Sequence, residues 1–186
     1  MQKGRTNTKK LVLSALFVTL ALLMSRFLKL KLAPGLSLSF GGYPLMFGGM
    51  VLGPYYGFMI GIVTDVLNYA LAPSSFGFNA FFTISEGLLA WFPGFILWKL
   101  SKGEGFAAMQ NDRKLQNKVI ISTTLFRAIF LNIFLNTALL YPYMGKGVLA
   151  LLPARATKNA IEIFTVYFAL TAMVEALRAR KVSFEM

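Results

Sequence analysis

The chain has 186 residues, 56% of them hydrophobic, with 19 Lys and Arg against 7 Asp and Glu for a formal charge of +12; its mean hydropathy is +0.63. It contains neither Cys nor His, which removes disulfides, thiolate metal sites, the commonest metal ligand and the usual neutral-pH proton carrier, and so disfavours a metalloenzyme or a histidine-based hydrolase. The basic residues flank apolar runs instead of forming one patch, so the charge reads as membrane orientation and not as nucleic-acid binding.

Residues 11–25, 32–64 and 66–85 carry no charge at all. A bilayer core about 30 Å thick asks for roughly 20 apolar residues per span, and runs of this kind identify an all-α integral membrane protein. A first helix is expected over about 10–28, preceded by Lys3, Arg5, Lys9 and Lys10. No small-residue cleavage pattern closes it, so it reads as a retained helix and not as a signal peptide. Residues 29–42 form a loop in which Pro34-Gly35 marks a turn and the alternating 36–40 segment is extended. A short helix over 43–52 is broken by Gly53-Pro54, and Pro54 opens a third helix over 54–72. A loop over 73–78 leads to a fourth helix over 79–100 with a kink at Pro93. Residues 101–117 read as one long hydrophilic loop, followed by a fifth helix over 118–140 and a sixth over 148–178, broken at Pro153.

Six spans of this length consume about 120 positions, and the whole of 1–186 reads as one transmembrane domain. With both termini in the cytoplasm, the inner side holds Lys3, Arg5, Lys9, Lys10, Lys99, Lys102, Arg113, Lys114, Lys118, Arg178, Arg180 and Lys181, twelve residues, against three outside, Lys29, Lys31 and Lys146. That asymmetry obeys the positive-inside rule. Gly49, Gly53, Gly57 and Gly61 recur every four residues, a spacing that lets membrane helices approach closely.

Several ionisable residues fall inside the spans: Arg26, Asp65, Glu86, Arg127, Arg155, Lys158 and Glu162. Each costs a few kcal/mol at bilayer depth, and normally faces a partner or a wet cavity. Arg155, Lys158, Asn159 and Glu162 share one face of the sixth helix, Asp65 and Asn68 one face of the third, Asn79, Thr83 and Glu86 one face of the fourth, and Asn132 and Asn136 one face of the fifth. Phe40, Tyr43, Tyr69, Phe76, Phe78, Phe81 and Phe82 lie nearby in sequence. Aromatic walls with a few aimed polar groups describe a pocket for a planar polar ligand, although the same polar groups also serve as interhelical staples. No G-x-x-x-x-G-K-[ST] loop is present, since Met144-Gly145-Lys146-Gly147 lacks both the upstream glycine and the Ser/Thr, and no duplicated halves are visible. A pocket without an engine implies partners.

The run from Leu38 to Gly57, LSFGGYPLMFGGMVLGPYYG, followed by Gly61-Ile-Val-Thr-Asp65, resembles the second and third helices of the S components of energy-coupling factor (ECF) vitamin transporters. Phe78-Asn79-Ala-Phe-Phe-Thr83-Ile-Ser85 and Leu149-Ala-Leu-Leu-Pro-Ala-Arg155 are similar to motifs of the folate-specific branch. Ala80 and Glu86 depart from that branch's pattern. The resemblance spans essentially the whole chain. It implies the six-helix S-component fold, high-affinity capture of an external vitamin without enzymatic chemistry or cofactor, and docking on a transmembrane coupling subunit driven by two cytoplasmic ATPases in the bacterial plasma membrane. Docking in the family uses small residues of the first helix, and here Ala15 with Thr19, and Ala21 with Ser25, supply the spacing. The substrate-binding residues expected on this basis are Arg26, Phe40, Asp65, Asn68, Tyr69, Asn79, Phe82, Glu86, Asn136, Lys146, Arg155 and Lys158. A carboxylate such as Asp65 accepts the paired N–H groups of a pterin, Asn79 matches its other edge, and cations such as Arg26, Lys146, Arg155 or Lys158 meet the anionic tail of folate. Pantothenate and riboflavin are the alternative vitamins. A membrane-embedded enzyme or assembly subunit using Asp65 or Glu86 as acid or base is the reading from another class.

Overall fold

The computed structural model describes residues 2–33, 36–73, 77–145 and 147–180. The elements in chain order are α1 (Gln2–Phe27), β1 (Lys29–Ala33), β2 (Leu36–Ser39), α2 (Gly42–Leu52), α3 (Pro54–Leu71), α4 (Ala80–Leu100), α5 (Phe106–Asn111), α6 (Arg113–Leu125), a π-helical segment (Phe126–Leu135), α7 (Asn136–Met144), α8 (Gly147–Ala150) and α9 (Leu152–Ala179). Four stretches are long and apolar enough to cross a bilayer: Thr8–Phe27, Ala80–Leu100, Arg113–Pro142 and Leu152–Ala179. The 11 residues of α2 rise only about 16 Å, and α3 is not among the four.

The α2 helix is apolar on every side, and Tyr43 through Leu52 are all buried. A helix hydrophobic all round belongs in the middle of a bundle, and α2 packs there against α1, α3, α4 and α9. Glycine makes this closeness available. A Cβ on Gly49 would sit 1.8 Å from the Ala90 carbonyl oxygen of α4, and one on Gly61 would sit 2.3 Å from that of Glu86. Gly53, between α2 and α3, has φ +88°, and Pro54 then begins α3 with its pre-set φ.

Several expectations from sequence are corrected. The segment expected to be extended is β2, and within the 29–42 loop it pairs with β1 in an antiparallel hairpin that the sequence did not announce, in the register Lys29↔Ser39, Leu30↔Leu38 and Lys31↔Ser37, with an irregularity before Ala33↔Leu36. α1 starts at Gln2, well before residue 10. The 101–117 stretch is not a simple loop. It carries α5, whose Phe106 and Met109 are buried, and Phe106 packs edge-on against Phe47 at 5.8 Å. Asp112 then caps α6 by accepting from the Lys114 N–H, so the fifth long helix begins at Arg113 and not at 118. Its middle is π-helical, which no residue pattern announces. α4 continues as helix across Pro93. In the last helix, the break falls at Leu151, and Pro153 instead occupies the first turn of α9, where its missing N–H has no intrahelical duty.

Outside this core, large apolar side chains are presented to the surroundings on α1 (Leu11, Leu16, Leu20), α4 (Phe81, Ile84), the π segment (Ile129, Phe134) and α9 (Ile161, Phe164, Phe168). Exposed apolar surface on this scale suits a lipid-facing bundle.

Candidate functional site

The four polar stripes do not meet at one point. Two of them, on α9 and on the π segment with α7, interlock through Glu162. Its side chain is 3% exposed and lies 3.4 Å from Arg127 Nη2 and 3.3 Å from Lys158 Nζ. Asn132 Nδ2 donates to Glu162 Oε2 at 3.0 Å and to Asn159 Oδ1 at 2.9 Å, while Asn159 Nδ2 donates to the Ala128 carbonyl at 3.2 Å. Asn136 donates to Asn132 at 3.4 Å, and Arg155 Nη1 donates to the Thr137 hydroxyl at 3.2 Å. Arg127 and Lys158 thus flank one carboxylate, and Arg155 lies about one turn before Lys158 on the same face of α9. Arg127 Nη1 is buried with no hydrogen-bond partner among the described residues. The Arg127 guanidinium also lies over the Tyr43 ring at 5.5 Å, and the Tyr43 hydroxyl shares a 2.9 Å hydrogen bond with Thr165. Arg127 and Asn132 both sit on the π-helical segment, where the wider turn changes which side chains face α9; such segments recur at functional sites.

Across the bundle, α3 and α4 supply the opposite charge. Thr83 Oγ1 donates to Asp65 Oδ2 at 2.7 Å. Glu86, one turn further along α4, is close enough to feel both Asp65 and Arg127. Among the described residues no group of three His, Cys, Asp or Glu is arranged to hold a metal ion. Thr124, Arg127, Ala128, Glu162, Ile163 and Val166 close around the cluster and leave no room between them for a water molecule. Ligand pockets for drug-sized molecules run to roughly 300–1,000 Å³, so no formed pocket lies between Arg127 and Glu162.

The other expected site residues fall elsewhere. Arg26 Nη2 donates to the Asn68 carbonyl at 2.8 Å, an attractive place for a cation because that carbonyl belongs to the last turn of α3. Asn68 Nδ2 donates to Ser25 Oγ at 3.2 Å. Arg26 and Asn68 thus tie α1 to α3, and Asn68 parts company with Asp65 although both lie on one helix. Asn79 is the N-cap of α4, its side chain accepting from the Phe81 N–H at 2.9 Å. Tyr69 meets Phe78 edge-on at 5.3 Å, and Phe40 meets Tyr43 in the same way at 5.3 Å. Phe82 is half-buried on α4. Lys146, with Phe76 of the aromatic set, lies outside the described residues. On α1, Ala15 and Thr19 are exposed. Ala21 is fully buried, and a Cβ on Gly41 would strike both its carbonyl and Ser25 Cβ, so this part of α1 packs against the rest of the chain. The residues that sequence reasoning leaves out of the site are Arg127, Asn132, Asn159 and Glu162. Their signal was present, in the i, i+3, i+4, i+7 stripe and the intramembrane arginine.

Comparison with known proteins agrees with this architecture. The family model of the ECF-type riboflavin transporter S component matches residues 5–178. The folate transporter FolT of Clostridium novyi (strain NT) is 26% identical over 151 residues, covering 81% of this chain and 79% of the relative. Among solved structures, FolT bound with folic acid has the same fold, with a TM-score of 0.72 at 21% identity over 91% of this chain and 94% of its own. The S component of a bacterial ECF transporter follows at TM-score 0.68 and 18% identity, over 95% and 99% of the two chains. With a family match along nearly its whole length and a membrane-type helical fold shared with both structures, the chain belongs to the family of ECF-type riboflavin transporter S components, membrane-embedded transporter subunits and not enzymes.

Proposed function

We propose that this chain is the folate-capturing subunit of an ECF importer in the bacterial plasma membrane. In this reading residues 1–186 form one transmembrane domain of six helices with both termini in the cytoplasm, α2 and α3 serving as the shorter spans. It takes the vitamin from outside and depends on a transmembrane coupling subunit and two cytoplasmic ATPases for release. The observation that carries the reading is the unpartnered, buried Nη1 of Arg127 beside Lys158 and Arg155. A buried charged donor left without an acceptor costs about 1–3 kcal/mol, and an anionic carboxylate would recover it in charge-assisted geometry. Folate offers such carboxylates at one end. At the other it has a pterin whose paired N–H groups suit Asp65 or Glu86. Similarity to a folate transporter over four-fifths of the chain supports the same ligand.

A second reading, riboflavin, is favoured by the description of the matching family. Riboflavin has a planar ring to stack but no carboxylate for the three cations. Equilibrium binding of folate and of riboflavin to the purified chain separates the two: we expect saturable folate binding and riboflavin weaker by at least tenfold, and the reverse order would overturn the folate assignment. The topology is tested by cysteine labelling. A cysteine at Glu104 should react only from the cytoplasm and one at Ser75 only from outside, and reaction of both from the same side would sink the six-helix arrangement.

A further inference from the structure

A groove of about 460 Å³ lies apart from the polar cluster, where α6 begins and α9 ends; Arg113, Gln116 and Asn117 of α6 and Thr171 and Glu175 of α9 line it. Three observations bear on its occupant. First, Glu175 is shared by two arginines, Arg113 and Arg178, so the three ions sum to one positive charge. Glu175 is closely paired with Arg178, whose remaining donors go to the Gln110 and Met109 carbonyls and to Gln116 Oε1 at 2.8 Å. Arg113 forms a long ion pair with Glu175 at 3.9 Å, and Lys114 and Lys118 are exposed on the same helix. Second, Thr171 Oγ1 is buried and has no hydrogen-bond partner among the described residues, so a donor stands at the groove wall. Third, exposed apolar side chains lie beyond the groove on the same two helices. Ile121 and Leu125 follow Asn117 at intervals of four residues, and Phe168 and Phe164 precede Thr171 by three and seven. All four side chains are exposed, and helical spacing puts each set on the groove's own face.

A polar, cationic head position followed by exposed apolar tracks has the shape of an amphiphile. It lies at the start of a span that begins at Arg113, where bilayer headgroups are found. We propose that this groove is a binding site for an anionic phospholipid, with the phosphate on the Arg113 guanidinium and the Thr171 hydroxyl and the acyl chains along Ile121–Leu125 and Phe164–Phe168. The site is independent of which vitamin the chain carries. A soluble phosphate would satisfy Arg113 and Thr171 but has no use for the apolar tracks, which is why the lipid is preferred.

The test is native mass spectrometry of the delipidated full chain, titrated in micelles with dioleoyl phosphatidylglycerol, dioleoyl phosphatidylcholine or inorganic phosphate. The parent should retain phosphatidylglycerol in preference to phosphatidylcholine. Each basic residue near a membrane surface is worth about fivefold in affinity for anionic lipid, so Arg113→Gln should weaken phosphatidylglycerol binding about fivefold. Thr171→Val should weaken it roughly two- to tenfold. Asn117→Trp, which fills the groove, should abolish retention. Unchanged thermal melting and unchanged vitamin binding in each variant confirm that the protein is folded. Equal retention of the two lipids, retention that survives both Arg113→Gln and Asn117→Trp, or displacement of the lipid by inorganic phosphate would overturn the proposal.

Discussion

Glu162 is the single anion of the polar cluster, and replacing it with Gln tests whether the cluster is buried and mutually dependent. The substitution keeps the size of the side chain and an oxygen to accept from Asn132, but it removes the charge facing Arg127 at 3.4 Å and Lys158 at 3.3 Å. At an effective dielectric of about 20, each contact is worth about 5 kcal/mol of direct attraction. Part of this is offset in the parent by the cost of desolvating all three ions, so the observed loss should follow measured buried pairs, about 3–5 kcal/mol. For a chain of this size that corresponds to a melting temperature lower by about 6–20 °C, read by thermal unfolding in micelles or nanodiscs. A triple variant, Arg127→Met, Lys158→Met and Glu162→Leu, removes the ions together; it should recover most of the stability, as apolar replacement of buried ion clusters does, while losing vitamin binding. If Glu162→Gln melts like the parent, the three charges are hydrated and the argument from their burial is wrong.

Three further outcomes are expected. Gly49→Ala should cost at least about 1–3 kcal/mol, because its Cβ would fall 1.8 Å from the Ala90 carbonyl and force α2 from α4; a normal melting curve would show that the two helices slide apart freely. Asn79→Ala should cost about 1 kcal/mol through loss of the α4 cap and, in the proposed site, ten- to hundredfold in vitamin affinity. Asn79→Asp keeps the capping oxygen, so affinity lost at unchanged stability would identify the amide as a ligand contact, and parent-like binding by that variant would remove Asn79 from the site. Ala15→Trp, on the exposed face of α1, should leave vitamin binding to the isolated chain intact and abolish uptake by the assembled transporter; normal uptake would move the docking surface away from that face.

The sequence alone determined the solvent this protein is built for. Uncharged runs such as 32–64 cannot be hydrated as a soluble surface, and the distribution of Lys and Arg follows from the same physics. It also determined the faces, because 3.6 residues per turn put Arg155, Asn159 and Glu162 on one side of α9 wherever that helix goes. The Gly49–Gly61 series announced close helix approach, and the contacts with α4 use it. Periodicity along one helix, however, carries no information about which neighbour that face meets. Only the packed bundle sent Asn68 to α1 while Asp65, three residues earlier, went to Thr83 on α4. Only there did α1 turn Ala21 and Ser25 inward and leave Ala15 and Thr19 outside. The π-helical turn was equally hidden, since its residues read as ordinary helix; by changing the turn around Arg127 and Asn132 it alters which side chains reach Glu162. Which charges become partners is a matter of a few ångströms between helices distant in sequence, and that distance is set by close packing over the whole bundle.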